Sequence, residues 1–343
     1  MDTVLIDQWL SGLESIAVLD EASVSVVRQH IRAEGAAVGF SPSALGSIVN
    51  VASELGHNQL AHARGGRIAI RRIARGETPG LEIIAADRGD GIAAPTDALR
   101  AVGSDPQPKA RGSLGVGLAA VLELADELDF DVRIGEGSCV WARKFTRPVA
   151  RRRQVGLYGR ACPGEDTSGD DGYFARSDDD LLIGLADGLG HGPPAREASS
   201  AAMQTLREST ALGVGRLLEN CHDALQDTRG AVMAVARIAE PSDTMQAGAI
   251  GNVSLHAYGP GARYHLTGPS FVVGARGRQP RIALEDHALS MRDALILFSD
   301  GIFTRADIGG ELDLLREHPI IIAHQFVERF ARDNDDALVL VAR

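Results

Sequence analysis

Cysteine is scarce in this sequence, which has only Cys139, Cys162 and Cys221 among its 343 residues. The three lie far apart, are odd in number and form no CxxC pair. This argues against a disulfide framework and against a cysteine-based zinc site. We interpret them as reduced thiols and predict that the protein is cytoplasmic.

Long hydrophobic runs and an excess of basic charge are also lacking. No apolar run approaches the roughly 18 residues of a membrane span. The first residues, MDTVLIDQWLSGLESIAV, carry acids where a signal peptide needs bases. The net charge of −11 argues against a nucleic-acid-binding protein, which normally has a basic face. We therefore predict neither a membrane nor a nucleic-acid partner.

The length and one basic segment predict two domains. At about 150 residues per domain, the chain is long enough for two cores. The segment RKFTRPVARRRQ, residues 143–154, stands out as basic in an acidic chain. We predict an N-terminal extension at 1–19, a first domain at 20–146, a basic linker at 147–154 and a second domain at 155–343. Apolar residues at helical spacing in the extension favour packing on the domain, with self-association into a homo-oligomer as the alternative.

Hydrophobic periodicity predicts an α+β fold for both domains. In the first domain, helices at 22–39, 41–66 and 115–128 accompany two hairpins, which predicts helices on a sheet face. In the second domain, strand patterns, including one at 270–275, are interrupted by helices in two blocks. This arrangement predicts two sheets faced by helices.

Three short motifs of the first domain predict a nucleotide site. Glu54 and Asn58 lie four residues apart and project from one helix face. AADRGDGI provides Asp87, Gly89 and Gly91 at a strand end, and GSLGVGL provides Gly112, Gly115 and Gly117 before a helix. Glycines allow backbone N–H groups to approach phosphates, an Asn oxygen suits Mg²⁺, and an Asp can accept a hydrogen bond from the adenine amine.

The ordered set of motifs resembles the GHKL ATPases, the fold of histidine kinases and Hsp90, over residues 20–145. SELGHNQLAHARGG and the segment from GSLGVGL to GEGSCV look most like the switch serine kinases of bacterial stress signalling. The resemblance implies an α/β sandwich that binds ATP with Mg²⁺. It assigns Glu54 as general base, Asn58 to Mg²⁺ and Asp87 to adenine, and it places Lys109 or Arg111 near phosphate in a lid. Asp90 departs from the family pattern, which often has Pro at this position.

Acidic residues at strand ends mark the second domain. Asp170 precedes one strand, Asp187 and Asp300 follow apolar runs, and Asp335 and Asp336 precede the last strand. Two unit charges 4 Å apart repel by about 4 kcal/mol at an effective dielectric near 20. If these ends converge, the cluster therefore needs cations or protons. Oxygen ligands select hard ions such as Mg²⁺ or Mn²⁺, and two such ions can activate a shared water.

The set GDD…ADGLGHG…SDGIF…DDALVLV resembles the SpoIIE-like branch of the PPM Ser/Thr phosphatases over residues 155–343. The resemblance implies an α-β-β-α sandwich with two Mn²⁺ or Mg²⁺ ions and catalytic roles for Asp187 and Asp300. It assigns as metal ligands Asp170, Asp187, the Gly188 carbonyl, Asp300 and Asp335. Asp336 is the alternative to Asp335.

For two further residues of this domain, the sequence is consistent with either of two roles. His191 is either a general acid or a residue that orders its loop. Asp171 either supports the ligands from behind or is solvated.

We conclude from the sequence that the chain is a bifunctional bacterial stress-signalling regulator. It combines a protein Ser/Thr kinase-like domain with a metal-dependent phosphoserine/phosphothreonine phosphatase. By resemblance, the partner is a STAS-domain phosphoprotein or an anti-sigma antagonist. Two alternatives remain: a phosphatase whose first domain only senses ATP or docks a partner, and a non-catalytic partner-switching protein.

Overall fold

The computed structural model describes residues 4–100, 117–260 and 262–343. The chain divides into two compact units, Met1–Arg151 and Arg152–Arg343. This boundary lies within the segment 147–154. No described helix is both long and apolar enough to cross a bilayer.

The first unit packs helices on an antiparallel sheet. Its described helices are Val4–Leu10 (α1), Glu21–Val38 (α2), Pro42–His62 (α3), Pro95–Arg100 (α4) and Gly117–Leu124 (α5). Its described strands are Ser15–Val18 (β1), Gly66–Arg75 (β2), Thr78–Asp87 (β3), Glu127–Ile134 (β4) and Gly137–Phe145 (β5). The strands are neighbours in the order β1-β2-β3-β5-β4. Helices α2 and α3 pack against each other and against β1–β3.

Local sequence explains where the two long helices begin and end. The Asp20 side chain accepts from the N–H of Ser23, whose hydroxyl accepts from the N–H of Asp20, which is a reciprocal capping box. Gly39 ends α2 in the left-handed region, at φ 91°. Ser41 caps α3, and Pro42 is the first residue of that helix.

The N-terminal residues are part of the first unit. Strand β1 pairs with β2, and α1 contacts β3 and β5. Trp9 of α1 packs edge-on against Trp141, with ring centroids 4.7 Å apart. Its indole N–H donates to Asp131 at 2.9 Å. The extension predicted at 1–19 thus includes a helix packed on the domain, as its apolar spacing favours, and a strand of the domain's sheet.

The second unit consists of two sheets between helices. Its described helices are Pro193–Glu208 (α6), Val214–Ala224 (α7) and Pro319–Phe330 (α8). One sheet has the order β6-β15-β14-β11-β12, with strands at Val155–Arg160, Ala337–Ala342, Ala294–Phe298, Ser254–Gly259 and Ala262–Thr267. The other has the order β13-β10-β9-β8-β7, with strands at Ala283–Ala288, Thr244–Ile250, Ala231–Ala239, Asp180–Gly188 and Asp170–Arg176.

The sheets of the second unit pack face to face. Strand β15 contacts β7, and β14 contacts β8. Helix α8 covers β6 and β15, α6 covers β7 and β8, and α7 covers β9 and β10. The predicted α+β fold class and α-β-β-α sandwich are confirmed. Strands in the middle of these layers are apolar along their length, as in β15, where all six residues are buried.

Two element predictions were wrong, and two strands of the second unit were not predicted. The helix predicted at 115–128 ends at Leu124, because Glu127 and Leu128 pair with β5 in β4. Residues 270–275 form a loop with one bridge, Val273 to Ala231, instead of a strand. The sequence pattern did not predict β12, nor β13, an edge strand whose residues ALEDHA are mostly exposed and carry no apolar alternation.

Candidate functional site

Two of the predicted carboxylates are brought together by strand pairing. Strands β7 and β8 form an antiparallel pair, so the start of β7 lies beside the end of β8. In the register, Asp170 is the direct partner of Asp187. Both strands are largely buried, which places these two acids at one end of an apolar pair.

The other three predicted or alternative ligands lie at the corresponding end of the facing sheet. Strand β14 ends just before Asp300, and β15 begins just after Asp335 and Asp336. Because β14 and β15 are antiparallel, these ends are adjacent. The buried Ser299 hydroxyl accepts from the Leu338 N–H at 3.1 Å and bonds to the Asp170 carboxylate. Ser299 therefore links the two sheets at the acids.

The pKa values of these acids show that they interact. Burial raises the pKa of Asp170 and of Asp187 well above the ordinary range, and the neighbouring carboxylates raise both further. Asp187 accepts a backbone hydrogen bond from Asp300 and also bonds to its carboxyl group. Burial also raises the pKa of Asp335, with Asp300 as the next cause. Asp170, Asp187 and Asp335 therefore favour a proton or a cation beside them.

The side chains do not form a complete ligand shell by themselves. Within the described ranges, no three His, Cys, Asp or Glu side chains are already arranged around one point as a metal site. The acids instead act on one another as neighbouring charges. Asp170 and Asp187 each face Asp300, and Asp335 and Asp336 act on Asp170. Their donors are all hard oxygens, which suit Mg²⁺ or Mn²⁺ and match no soft metal.

Asp335 and Asp336 have different environments. Asp336 is 4% exposed, and its two oxygens accept from the backbone N–H groups of Cys162, at 2.7 Å, and Gly169, at 2.9 Å. Asp335 accepts only from the N–H of Asp336 among the hydrogen bonds described for its side chain, at 3.0 Å. Asp336 thus holds a loop and also faces Asp170, whose pKa it raises, whereas Asp335 keeps its side chain largely free of backbone bonds and faces Asp300.

Two glycines beside the acids are required by close backbone approach. A Cβ at Gly188 would lie 2.0 Å from the carbonyl oxygen of Ala195 in α6. A Cβ at Gly301 would lie 1.7 Å from the carbonyl oxygen of Asp336. Both distances are far below van der Waals contact. The glycines therefore let α6 and the start of β15 approach the ends of β8 and β14.

His191 and Asp171 contact residues outside the acid pairs. His191 Nδ1 lies 2.7 Å from Glu165 Oε1 in an exposed pair, which links two loops. Asp171 is 2% exposed and lies 4.0 Å from the Arg196 guanidinium, with the Ser200 hydroxyl donating at 3.4 Å. Asp171 is therefore not solvated, and it connects β7 to α6.

A cavity of about 430 Å³ in the first unit lies between α3 and the end of β3. Of the predicted residues, those that line it are Asn58, Asp87, Gly89, Gly91 and Gly117. Glu54 lies one turn before Asn58, is 6% exposed and does not line the cavity. The remaining predicted residues lie outside the described part of the chain: Lys109, Arg111, Gly112 and Gly115.

Asp87 is held in place at the cavity by backbone groups. Its Oδ1 accepts from the N–H groups of Gly89, at 2.8 Å, and Ser138, at 3.2 Å. Burial raises the Asp87 pKa despite these two bonds. Both bonds go to one oxygen, so the other is available to a ligand donor. At Gly91, φ is +79° and a Cβ would lie 2.9 Å from the Arg133 carbonyl oxygen, so this turn needs glycine.

The sequence did not predict a role for three polar residues of these sites. Gln59 is 2% exposed and lines the cavity, with its amide donating to the carbonyls of Arg67 and Ala86. Ser299 bridges the sheets, as described above. Asn252 donates to Asp300 Oδ2 at 2.7 Å. Gln59 adjoins Asn58 in the helix motif and Ser299 adjoins Asp300, so proximity to a motif was the available signal.

Family models match both units. A histidine kinase-like ATPase domain matches residues 17–144, and the Stage II sporulation protein E family (SpoIIE) matches residues 177–343. The chain joins a GHKL-type ATPase domain to a SpoIIE-type PPM phosphatase domain. The match at 17–144 begins within β1 and includes its last two residues, which agrees with the place of β1 in the sheet.

Curated relatives from Bacillus subtilis (strain 168) match each domain. The serine/threonine-protein kinase RsbT is 33% identical over 132 residues, 38% of this chain and 96% of RsbT. The phosphoserine phosphatase RsbX is 30% identical over 91 residues, 26% of this chain and 46% of RsbX. The chain thus spans nearly all of RsbT and about half of RsbX.

Solved structures resemble the phosphatase fold. One, from work on the bacterial stressosome as a modular system adapted to control secondary messenger signalling, has a TM-score of 0.52 at 28% identity. The match covers 56% of this chain and 100% of the chain in that structure. The structure of RsbX in complex with magnesium has a TM-score of 0.50 at 20% identity. The match covers 57% of this chain and 96% of the RsbX chain. The second domain therefore has the fold of a metal-dependent phosphatase family.

Proposed function

We propose that the second domain hydrolyses phosphoserine or phosphothreonine in a protein, with two Mg²⁺ or Mn²⁺ ions held by its acid cluster. The observation that supports this most directly is the pairing of Asp170 with Asp187 and the link from Asp187 to Asp300. When bound, the ions supply a water of lowered pKa and polarise the phosphoryl oxygens. The proposed ligands are Asp170, Asp187, the Gly188 carbonyl, Asp300 and Asp335.

The protein residues have distinct tasks in this reaction. Asp187 and Asp300 are the central ligands, because each faces another acid. Asn252 and Ser299 orient carboxylates by hydrogen bonds, which is how residues behind the ligands tune a metal site. We favour Asp335 over Asp336 as the fourth ligand, because both Asp336 oxygens already accept backbone hydrogen bonds.

The phosphatase proposal can be tested with p-nitrophenyl phosphate and added Mn²⁺. We expect hydrolysis by the wild-type chain and loss of at least about a hundredfold in kcat for Asp187→Asn, since a ligand is neutralised. The exposed Asp178, on the turn after β7, provides the matched control Asp178→Asn. Hydrolysis that persists in Asp187→Asn would refute the assignment.

We further propose that the first domain binds ATP with Mg²⁺ and phosphorylates Ser or Thr on a protein. The cavity beside Asp87 and Asn58 supports nucleotide binding, with Asp87 accepting from the adenine amine and Asn58 contacting Mg²⁺. Lys109 or Arg111 would contact phosphate, and Gly112 and Gly115 would complete the pocket. Glu54, buried one turn from Asn58, is the proposed general base.

Glu54→Gln separates a kinase from an ATP sensor. With radiolabelled ATP and a STAS-domain protein, a kinase loses phosphotransfer in this variant while it retains ATP binding. Equal phosphotransfer by variant and wild type would refute the role of Glu54. We infer STAS-domain or anti-sigma-pathway partners from the similarity to RsbT and RsbX. A homo-oligomer remains a proposal of the sequence alone.

A further inference from the structure

A groove of about 640 Å³ lies beside the acid cluster of the second domain. Two of its lining residues connect it to the cluster. Asn252 donates to Asp300 Oδ2 at 2.7 Å, and Val232 is the register partner of Asp187 on β9. The groove is therefore continuous with the proposed site of phosphate hydrolysis.

The groove wall is the loop 268–278, and it is fixed before any ligand binds. Val273 exchanges two backbone hydrogen bonds with Ala231, at 2.8 and 3.2 Å. His222 of α7, only 3% exposed, accepts from the Gly274 N–H at 3.0 Å through Nδ1. Its Nε2 lies 2.9 Å from the Arg278 carbonyl oxygen and therefore donates to it. The two ring nitrogens thus hold the second half of the wall, at Gly274 and Arg278, and a preorganised wall lowers the entropic cost of binding.

The groove combines an apolar floor with one cation. Val232, Phe271 and Val272 provide apolar surface, and Ser270 and Thr304 provide hydroxyls. Arg278 is exposed, and its guanidinium has no ion pair among the contacts of the described residues. Arg276, two residues earlier, differs because it binds Asp227 and the Gln226 carbonyl. Arg278 is therefore the cation that a ligand in the groove would meet.

We propose that this groove binds the polypeptide segment that flanks the phosphoresidue of the protein substrate, with Arg278 contacting an acidic side chain of that segment. The inference depends on the proposed phosphatase function. Its occupant is a polypeptide because the groove is lined from Asn252, which bonds to Asp300, to Arg278, and the proposed metal ligands are not among its lining residues. A small phosphate ester would fill the acid site and leave the groove empty.

The test compares a small ester with phosphopeptides on the full chain. The probes are p-nitrophenyl phosphate and short phosphoserine peptides that carry one Glu at successive positions on either side of the phosphoserine. The same peptides with Gln serve as neutral partners. For Arg278→Ala, we expect kcat/KM for the best Glu peptide to fall about fivefold, the upper range for an exposed ion pair. Rates for its Gln partner and for p-nitrophenyl phosphate should stay unchanged.

Arg281→Ala is the matched control, because it removes one exposed positive charge three residues away and outside the groove lining. An Arg278→Ala variant that matches Arg281→Ala on every peptide overturns the groove proposal. An equal loss on Glu peptides, Gln peptides and p-nitrophenyl phosphate also overturns it, since that pattern indicates damage to the acid site. A wild-type chain that hydrolyses none of the probes refutes the phosphatase function, and the groove proposal with it.

Discussion

Replacing Asp336 by Ala tests whether Asp336 stabilises its loops while the adjacent Asp335 binds metal. The substitution removes the acceptors of two backbone N–H groups, those of Cys162 and Gly169. Because the carboxylate is 4% exposed, water does not readily replace it. A hydrogen bond to a charged group contributes about 1.5–3 kcal/mol. Loss of both therefore lowers the free energy of unfolding of the second domain by about 3–6 kcal/mol.

The adjacent variant Asp335→Ala provides the comparison. Burial and Asp300 raise the pKa of Asp335, so its charged form is unfavourable in the metal-free protein. Its removal should leave stability in EDTA unchanged or slightly higher, while Mn²⁺ binding falls. Both tryptophans, Trp9 and Trp141, lie in the first domain, so fluorescence does not report on the second. Urea-dependent hydrogen exchange in peptides from 155–343 provides the measurement, and calorimetric titration gives Mn²⁺ affinity.

Two results would refute this reasoning. If Asp336→Ala is as stable as wild type in EDTA, the two backbone hydrogen bonds do not hold the loops. If Asp336→Ala loses Mn²⁺ binding at full stability while Asp335→Ala retains it, Asp336 is the ligand.

Three further predictions concern a glycine, a histidine and the nucleotide cavity. Gly188→Ala places a Cβ 2.0 Å from the Ala195 carbonyl oxygen, so the end of β8 or α6 must shift and calorimetric Mn²⁺ affinity should fall. Burial lowers the His256 pKa from 6.5 to about 4, so its neutral form stabilises the fold above pH 6.5. This contribution, at most about 3 kcal/mol, is lost as the pH falls towards 4, and His256→Gln should flatten the decline of urea stability over that interval. Asp87→Asn should weaken binding of a fluorescent ATP analogue by about tenfold or more, because an acceptor for the adenine amine is lost.

Each of these predictions has a control in the same domain. Gly310→Ala adds a Cβ with no neighbour within 4 Å and should not change Mn²⁺ affinity. His191→Gln alters an exposed histidine and should keep the wild-type pH profile. Asp7→Asn, on exposed α1 surface, should bind nucleotide normally. A test variant that behaves like its control would contradict the corresponding prediction.

The sequence predicted the parts of the sites that follow from local pattern. Asp187 and Asp300 follow apolar strands and precede glycine, so their positions at strand ends were readable from the chain. Asn58 and Asp87 also lie where the motifs predicted, on a helix face and at a strand end beside one cavity. The fold class was predictable for the same reason, because apolar periodicity and cap residues are properties of neighbouring residues.

The tertiary structure decided what depends on residues far apart in the chain. The apolar run after Gly117 continues past Leu124, but pairing with β5 turns Glu127 and Leu128 into a strand. Asp335 and Asp336 are equivalent in the sequence, and only the approach of Cys162 and Gly169 distinguishes them.

By itself, then, the sequence determined the two domain families, the fold class and the candidate acids, since each is encoded in local spacing. Only the tertiary structure paired Asp170 with Asp187, linked them to the facing sheet through Ser299, and turned 270–275 into the wall of a groove. The physical reason is that strand register, sheet packing and burial are set by contacts between distant segments, and these contacts decide which polar groups meet.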